Sequence, residues 1–397
     1  MAKLGEICTI YSGTGFPVKY QGNTTGQYPF YKVGDIAKNV THGFSELKIC
    51  ENYIDDDVCR AIKGTVIPEK TVVFAKIGEA VKLNRRAKTT VPCLIDNNAM
   101  GIKPNEDVLG LEYFYHFMCG LKLEEYAEAT TVPSVKKTVI ERIDIPLPPL
   151  EIQRQIAANL DKVTHTIDLC NAILEKLDLL VKSRFVEMFG EPIDNPMGWK
   201  VKTLKELSTL ITNGNTPKGG SENYVDEGII FLRSQNVWRN RIDLSDVAYI
   251  DEETHQKMKK SIVNHKDILI TKTGRINTEN SSLGRAALYL GENGSANING
   301  HVYLVRLNNS VVPEYVVTIL TGEAYRKYIR KVCVGGIDKR QINLDQVEDF
   351  PIIMPPKEKQ QQFADFSNQI DKSKLAVKQV LEKAETLKKA LMQEYFG

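Results

Sequence analysis

The sequence predicts an α+β protein in which two mixed α/β domains are separated by two long helices that form an antiparallel coiled coil. Three observations predict this fold class. The chain has 397 residues, which is too long for one ordinary core and suits two. A proline-rich segment followed by a helical pattern occurs twice, at an offset of 207 residues. Short β-branched and aromatic runs that end at Gly, Asp or Asn precede both copies and read as strands.

The repeat divides the chain into four parts: a first domain at 1–150, a helix at 151–190, a second domain at 191–356 and a helix at 357–397. Pro148-Pro149 matches Pro355-Pro356, and the register holds to the Phe-Gly pairs that end at Gly190 and Gly397. The domains match more loosely, and their loops differ in length. We therefore expect closely similar helices, and domains that share a scaffold but differ at the surface.

Heptad spacing predicts that the two helices pack on each other. The first stripe is Leu160, Val163, Ile167, Cys170, Leu174, Leu177, Val181 and Met188, with Arg184 in the remaining position. The second is Phe366, Ile370, Val377, Val380, Ala384, Leu387 and Leu391, with Ser373 in the remaining position. Unpartnered helices of roughly 55 Å would expose these stripes to water, so we expect an antiparallel pair that acts as a spacer between the domains.

Composition narrows the class of protein. The sequence is 42% hydrophobic and 26% charged, as in soluble globular proteins, and contains no apolar run near the roughly 18 residues of a membrane span. Its start has no apolar signal region, so we expect a cytoplasmic location and no membrane partner. The seven scattered cysteines indicate reduced thiols. The net charge of +2 argues against coating nucleic acid by charge alone.

Familiar catalytic motifs are incomplete. The segment from Gly214 to Ser221 resembles a phosphate-binding loop, but Gly220 stands where the lysine belongs. Neither Pro-Pro pair has the preceding amide residue or the following aromatic residue of an amino-group DNA methyltransferase, and the six histidines lack metal-ligand spacing. We therefore predict no catalytic residue, no metal and no cofactor.

Two alternatives stay open: a stand-alone DNA methyltransferase or nuclease with degenerate motifs, and a coiled-coil scaffold without a role on DNA.

Sequence-specific DNA reading requires Arg, Lys, Asn or Gln at base edges and positive charge near phosphates. Four groups of candidates meet this requirement: Lys76, Lys82, Arg85 and Arg86 in the first domain; Lys272, Arg275, Asn277 and Arg285 in the matching loop of the second; Lys136 and Lys137, interpreted as equivalent to Lys339 and Arg340, near the domain ends; and Arg233, Gln235 and Arg239 in the second domain only. Asp35 and Asn236 occupy matching positions and are interpreted as turn-closing residues.

These residues resemble the specificity subunits of type I restriction-modification systems. The resemblance rests on the block from Ile145 to Ile156, on its copy around Pro355-Pro356 and Gln360, on the Pro-x-Gly-Trp that ends at Trp199, and on the two Phe-Gly endings. It implies two target-recognition domains that each read one half of a bipartite, asymmetric site in double-stranded DNA.

The resemblance also implies partners. The paired helices would dock two methyltransferase subunits, which restriction subunits would join, and this chain would bind no S-adenosylmethionine. The candidate docking residues are Gln153, Gln155, Gln360, Gln362, Phe189 and Phe396.

Overall fold

The computed structural model describes residues 1–128, 132–217, 219–278 and 280–397, so Lys218 of the glycine-rich loop lies outside the described residues. Contacts divide the chain into two compact units, residues 1–173 with 377–397, and residues 174–376. Each unit contains one mixed domain together with a segment of each long helix.

The strands of the first domain form a four-stranded antiparallel sheet in the order β2-β8-β5-β6, a small sheet in the order β4-β3-β7 and the pair β1-β9. Their bounds are β1 Ala2–Lys3, β2 Cys8–Ser12, β3 Tyr28–Tyr31, β4 Tyr53–Ile54, β5 Val72–Ala75, β6 Arg86–Lys88, β7 Leu94–Ile95, β8 Ala99–Pro104 and β9 Asp144–Ile145. The helices are α1 Leu4–Ile7, α2 Val33–Thr41, α3 Asp56–Ala61, α4 Leu111–Gly120, α5 Lys137–Ile140 and the long α6 Leu150–Phe189.

The second domain contains the corresponding sheets in the orders β11-β21-β17-β19 and β15-β12-β20-β16, and the pair β10-β24. The strands are β10 Lys200–Thr203, β11 Ser208–Asn213, β12 Ile229–Leu232, β13 Val237–Trp238, β14 Arg241–Ile242, β15 Ala248–Ile250, β16 Ile262–Val263, β17 Ile268–Thr271, β18 Thr273–Arg275, β19 Ala286–Leu288, β20 Ala296–Ile298, β21 Val302–Leu307, β22 Val334–Gly335, β23 Lys339–Gln341 and β24 Pro351–Met354. The helices are α7 Glu252–Lys257, α8 Pro313–Thr321, α9 Glu323–Val332, α10 Leu344–Glu348 and the long α11 Lys357–Phe396.

The two domains therefore share one strand order, and the predicted fold class is confirmed. In both small sheets one pair is parallel, β3 with β7 and β12 with β20, and the other pairs are antiparallel. The second domain adds β16 at the end of its small sheet, the hairpin β13-β14 and the three-stranded sheet β18-β23-β22. The additions lie in connections, where extra residues disturb the core least.

The long helices share a hydrophobic core in each unit. In the first unit Ile156 and Leu160 of α6 share a hydrophobic cluster with Leu391 of α11. In the second unit the rings of Phe185 and Phe363 are 5.3 Å apart. In the same unit Asp178, which precedes Phe185 on α6, contacts Lys374, which follows Phe363 on α11. The two helices therefore run antiparallel there, as expected.

The predicted stripe on α11 is wrong at three positions. Ser373 is exposed, and Val380 and Leu387 are each 49% exposed. Lys374, next to Ser373, takes the position that faces α6. Its side chain is 16% exposed, and its ammonium lies 2.6 Å from the carboxylate of Asp178. The aliphatic part of a lysine can pack against apolar surface while its charge finds a partner, so an apolar pattern alone misses such a position.

Three further observations concern the cysteines, metal ligation and the apolar character of the helices. All seven cysteines are free thiols. In the described ranges, no group of His, Cys, Asp and Glu residues is placed to hold a metal ion. None of the helices there combines the length and apolar character that crossing a bilayer requires.

Candidate nucleic-acid interface

One edge of the four-stranded sheet is built in the same way in both domains. Lys76 directly follows β5, and its backbone N–H donates to the carbonyl of Asn98 at 2.8 Å. Lys272 directly follows β17, and its N–H donates to the carbonyl of His301, also at 2.8 Å. The two lysines are therefore equivalent, and both are partly exposed at the point where the central strand leaves the sheet.

A polar turn supports each of these lysines. The carboxylate of Asp96 accepts from the backbone N–H of Asn98 at 3.0 Å, and the side-chain oxygen of Asn299 accepts from that of His301 at 3.1 Å. The N–H of Asp96 and that of Asn299 each donate to the last residue of the neighbouring strand, β3 or β12. Sequence reasoning missed these turns, although an Ile followed by Asp or Asn ends β7 and β20 alike.

A glycine lies against each of the polar turns. A Cβ atom at Gly13 would stand 1.7 Å from the carbonyl oxygen of Asp96, and one at Gly214 would stand 2.4 Å from that of Asn299. No side chain fits at either position. The glycine at position 214, which made this segment resemble a phosphate-binding loop, is therefore explained by close packing of the backbone at this edge.

The predicted equivalence between the two basic pairs near the domain ends is wrong. The N–H of Val135 donates to the carbonyl of Lys76 at 2.9 Å, and that of Ile342 donates to the carbonyl of Lys272 at 3.0 Å. Lys136 therefore corresponds to the residue after Ile342, and not to Lys339. The mismatch arises because the second domain inserts the hairpin β22-β23 just before the shared position.

The Lys136 and Lys137 side chains are exposed and are paired with acids. The Lys136 ammonium is 2.5 Å from Glu128, and that of Lys137 is 3.9 Å from Glu141. Among exposed side chains such pairs contribute little to stability, so both lysines are able to exchange their partners for a phosphate.

The loop of the first domain between β5 and β6 places its cations in two environments. Lys82 is exposed and pairs with Glu79 at 2.9 Å, and Arg85 is partly exposed. Arg86 is only 2% exposed, donates to the side chain of Asn84 at 2.5 Å, and has a pKa that burial lowers to about 10. In this conformation the interior position of Arg86 keeps it from a ligand, contrary to the expected DNA contact, and it holds the loop instead.

The matching loop of the second domain is lengthened by β18, which pairs with β23. The register places Arg275 directly opposite Lys339. With Asn280 these residues line a small polar cleft, and Arg275 also lies 3.4 Å from Asp338. Asn277 is exposed on the same loop. Cationic and amide groups thus lie together at the edge of the sheet where Lys272 follows β17.

Arg285 lies at the end of this loop and is 8% exposed. Its Nε donates to the carbonyl of Ser281 at 3.0 Å, and it also donates to the carbonyl of Asn280. As with Arg86, burial contradicts the expected direct contact with DNA, because the guanidinium of Arg285 donates its hydrogen bonds to its own loop.

Arg340 lies in β23, where its guanidinium donates to the carbonyl of Gly336 at 3.1 Å. Arg233 and Gln235 are both held by Asp246, with contacts of 3.2 Å and 2.6 Å to its carboxylate. Arg239 is exposed at the turn of the hairpin β13-β14. Arg340, Arg233 and Gln235 are therefore each tethered by a hydrogen bond, whereas Arg239 is exposed at the turn.

Asp35 and Asn236 close equivalent turns, as interpreted from the sequence. The backbone N–H of Lys32 donates to the carboxylate of Asp35 at 2.8 Å, and that of Arg233 donates to the side chain of Asn236 at 2.9 Å. Both acceptors are buried, which removes them from direct contact with a ligand.

Of the candidate docking residues, Gln153 and Gln360 are 1% exposed and serve the fold. Each accepts from a backbone N–H at the start of a neighbouring helix, Gly110 at 2.8 Å and Val312 at 3.1 Å. Each also donates to the carbonyl of the first proline of the preceding Pro-Pro pair, at 2.8 Å and 2.9 Å. Burial therefore contradicts the expectation that these two side chains meet a partner.

The remaining docking candidates differ in exposure. Phe189 is fully buried, with its ring 5.0 Å from that of Tyr315, and Phe396 is partly buried, 5.0 Å from Tyr113. Both phenylalanines thus belong to domain cores. Gln155 and Gln362, two residues beyond the buried glutamines, are exposed and remain available.

Comparison with known proteins identifies the family. The family model for the type I restriction modification DNA specificity domain matches residues 1–179 and, a second time, residues 196–386. The chain belongs to the type I restriction-modification specificity-subunit family. Specificity subunits are the non-catalytic subunits of type I systems, so the expectation of a non-enzymatic chain agrees with the family.

Relatives in this family are distant in sequence. The chain is 22% identical over 383 residues to the type I restriction enzyme MjaIX specificity subunit of Methanocaldococcus jannaschii, covering 91% of this chain and 84% of the relative. It is 24% identical over 202 residues to the putative type I restriction enzyme MjaX specificity subunit of the same organism, covering 51% and 46%. It is 22% identical over 301 residues to the EcoBI specificity subunit of Escherichia coli, covering 69% and 60%. The latter two matches span about half and about three fifths of those relatives.

Solved structures show the same fold. The type I restriction-modification S subunit from M. genitalium superposes with a TM-score of 0.59 at 13% identity, covering 100% of this chain and 95% of that one. A chain from a study of complex assembly and conformational transition of the type I R-M system gives a TM-score of 0.54 at 19% identity, covering 100% and 96%.

Proposed function

We propose that this chain is the DNA-reading subunit of a type I restriction-modification complex. Its two domains would each read one half of a bipartite, asymmetric target in double-stranded DNA. Its long helices would dock two methyltransferase subunits, which restriction subunits would join. The catalytic work and the binding of S-adenosylmethionine would belong to these partners.

The main support is that one scaffold carries two different sets of side chains. The equivalent lysines Lys76 and Lys272 follow corresponding strands, β5 and β17, and are held by corresponding backbone hydrogen bonds. Around them the loops differ in length and in residues that can donate to bases, such as Arg85 on one side and Asn277 on the other. A shared scaffold with different readers is what an asymmetric target requires.

Charge supports the same surface. Lys272, Arg275 and Lys339 lie at one edge of a chain whose net charge is only +2, so positive charge is concentrated locally. Contacts between such cations and phosphates release counterions and make binding dependent on salt.

Exposed apolar residues on the helices support partner docking. Leu169 and Leu180 on α6 are 51% and 46% exposed, and Leu179 is 62% exposed. On α11, Leu375 is 60% exposed. Large apolar side chains exposed along a helix favour a protein partner, and the exposed Gln155 and Gln362 would supply polar contacts beside them.

The test is to co-express the chain with its cognate methyltransferase and to map the methylated adenines by sequencing. We expect one asymmetric motif with a gap between its halves. The double variant Lys272→Glu, Arg275→Glu should lower methylation by 10-fold or more, because two favourable phosphate interactions become repulsive. The matched variant Lys200→Glu, Lys205→Glu, which reverses two exposed charges before β11, should keep the wild-type motif and extent.

An ungapped motif, or methylation without sequence preference, would contradict the proposal. Full methylation by the Lys272→Glu, Arg275→Glu variant would favour a coiled-coil scaffold whose sheet edges have no role on DNA.

A further inference from the structure

The two domains build different elements at the same place. In the first domain the turn closed by Asp35 is the first turn of helix α2, which packs on β5 and β6. After the turn closed by Asn236 the second domain continues as the hairpin β13-β14, which packs on the corresponding strands β17 and β19. The major groove of B-DNA accepts an α-helix or a two-stranded ribbon.

The hairpin is fixed to the sheet at its turn. Trp238 and Arg241 are paired across its two strands, and Val237 is fully buried. Asn240 has a φ of +53°, a conformation that asparagine tolerates, and its N–H donates to the carbonyl of Ala286 at 2.8 Å. The turn therefore lies next to the start of β19, beside the loop that carries Arg275 and Asn277.

A buried arginine links the hairpin to that loop. The guanidinium carbon of Arg285 lies 4.0 Å from the centre of the Trp238 ring. The same guanidinium holds the carbonyls of Ser281 and Asn280. Stacking and hydrogen bonding together hold Arg285 against both the hairpin and the loop, so it helps to position Trp238 and the turn that follows.

Positive charge gathers at the turn with little compensation. Arg241 also lies over the Trp238 ring, at 5.4 Å, and its closest carboxylate contact is Asp243 at 4.0 Å. In the described parts of the chain no carboxylate pairs with Arg239. Burial lowers the pKa of Arg285, and the charges of Arg239 and Arg241 lower it further. Repulsion among these three arginines destabilises the folded state, and an electron-rich ligand bound at the turn would offset it.

We propose that the hairpin β13-β14 determines the specificity of the second domain, with Arg239 reading a guanine in the major groove through N7 and O6. This inference rests on the proposed function. Arg239 is exposed and has no acid partner in the described residues, and arginine is the side chain that pairs with both guanine acceptors at once. Trp238 and Arg285 are positioning residues that hold the turn.

The test compares methylation motifs of the wild-type chain and single variants co-expressed with the cognate methyltransferase. Arg239→Ala should relax one guanine position in one half of the motif, with discrimination falling on the order of 10- to 100-fold, and leave the other half unchanged. Lys339→Ala removes a charge from the same edge and should lower the extent of methylation without changing the motif.

Positioning is tested separately. Trp238→Ala should relax the same guanine position, and Trp238→Phe, which keeps a ring under Arg285, should restore it. Thermal unfolding of each purified variant checks that the second domain is folded.

Two results would overturn the inference: an unchanged motif in Arg239→Ala, or a uniform loss of methylation as in Lys339→Ala, which would make Arg239 a phosphate contact. Failure of the proposed function looks different, because the wild-type chain itself would then direct no gapped motif.

Discussion

At the residue scale, the glutamine after each Pro-Pro pair has a structural role. Gln153 and Gln360 connect the start of a long helix to a backbone N–H of the neighbouring domain. Because both side chains are buried, their loss would leave a backbone donor without a partner, which typically costs about 1–3 kcal/mol.

Gln153→Ala should therefore destabilise the first domain by about 1–3 kcal/mol. Hydrogen exchange measured by mass spectrometry should show faster exchange of the Gly110 amide, whose acceptor is removed. Gln155→Ala, at an exposed position on the same helix, is the control and should exchange like the wild type. Slow exchange at Gly110 in the Gln153 variant would argue against this role.

Asp35 offers a prediction about pH. Burial raises the pKa of its carboxyl group, although the hydrogen bond from Lys32 opposes the shift. The folded state thus binds a proton more tightly than the unfolded state, whose Asp pKa is about 3.9. The stability that this difference contributes is fully present below that value and is lost as pH rises through the raised pKa.

Asp35→Asn should remove this dependence, because an amide oxygen accepts the same hydrogen bond without a charge, as Asn236 does in the second domain. Urea unfolding at several values between pH 4 and pH 7 should give a flatter profile for the variant and a stability at pH 7 at least equal to that of the wild type. Asp35→Ala loses the acceptor and should be less stable at every pH. An Asn variant that is as unstable as the Ala variant at pH 7 would contradict the argument.

At the scale of elements, the end of each long helix is part of a domain core. Phe189 is fully buried among aromatic rings that include Phe185, Tyr315 and Phe363. Phe396, at the equivalent place, packs on α4 but stays partly exposed. The repeated Phe-Gly ending therefore reflects a repeated packing contact.

Phe189→Ala should lower the free energy of unfolding by about 3–5 kcal/mol, the usual cost of removing a buried ring. Phe396→Ala should cost about 2 kcal/mol, since less of its ring leaves water. Chemical denaturation should give this order, with Glu394→Ala as an exposed control on the same helix turn. The reverse order would mean that Phe396 is the better buried of the two.

At the scale of the whole molecule, each unit has its own core and its own candidate interface. A chain built in this way can change one reading surface without rebuilding the other, which predicts modular specificity.

Replacing residues 1–149 by the equivalent domain of a relative with a known target should therefore change one half of the methylated motif and keep the other. Mapping of methylated adenines checks this outcome, and replacing the second domain instead is the reciprocal control. A change in both halves after either replacement would show that the domains do not read independently.

The sequence by itself determined the duplication, the two long helices, the fold class and the family. These features rest on periodicity and on motifs that are local in the chain. It also determined the turn-closing roles of Asp35 and Asn236, because a polar residue after a strand acts on its own neighbours in sequence.

Only the tertiary structure decided which polar residues face solvent. Arg86 is buried because it reaches carbonyls that include that of Leu121, and Arg285 because it stacks on Trp238. The side-chain oxygen of Gln153 is occupied by a hydrogen bond from the backbone N–H of Gly110, which is distant in sequence. A pattern of basic and amide residues predicts a surface only when their partners are local, and here the partners come from distant segments that folding brings together.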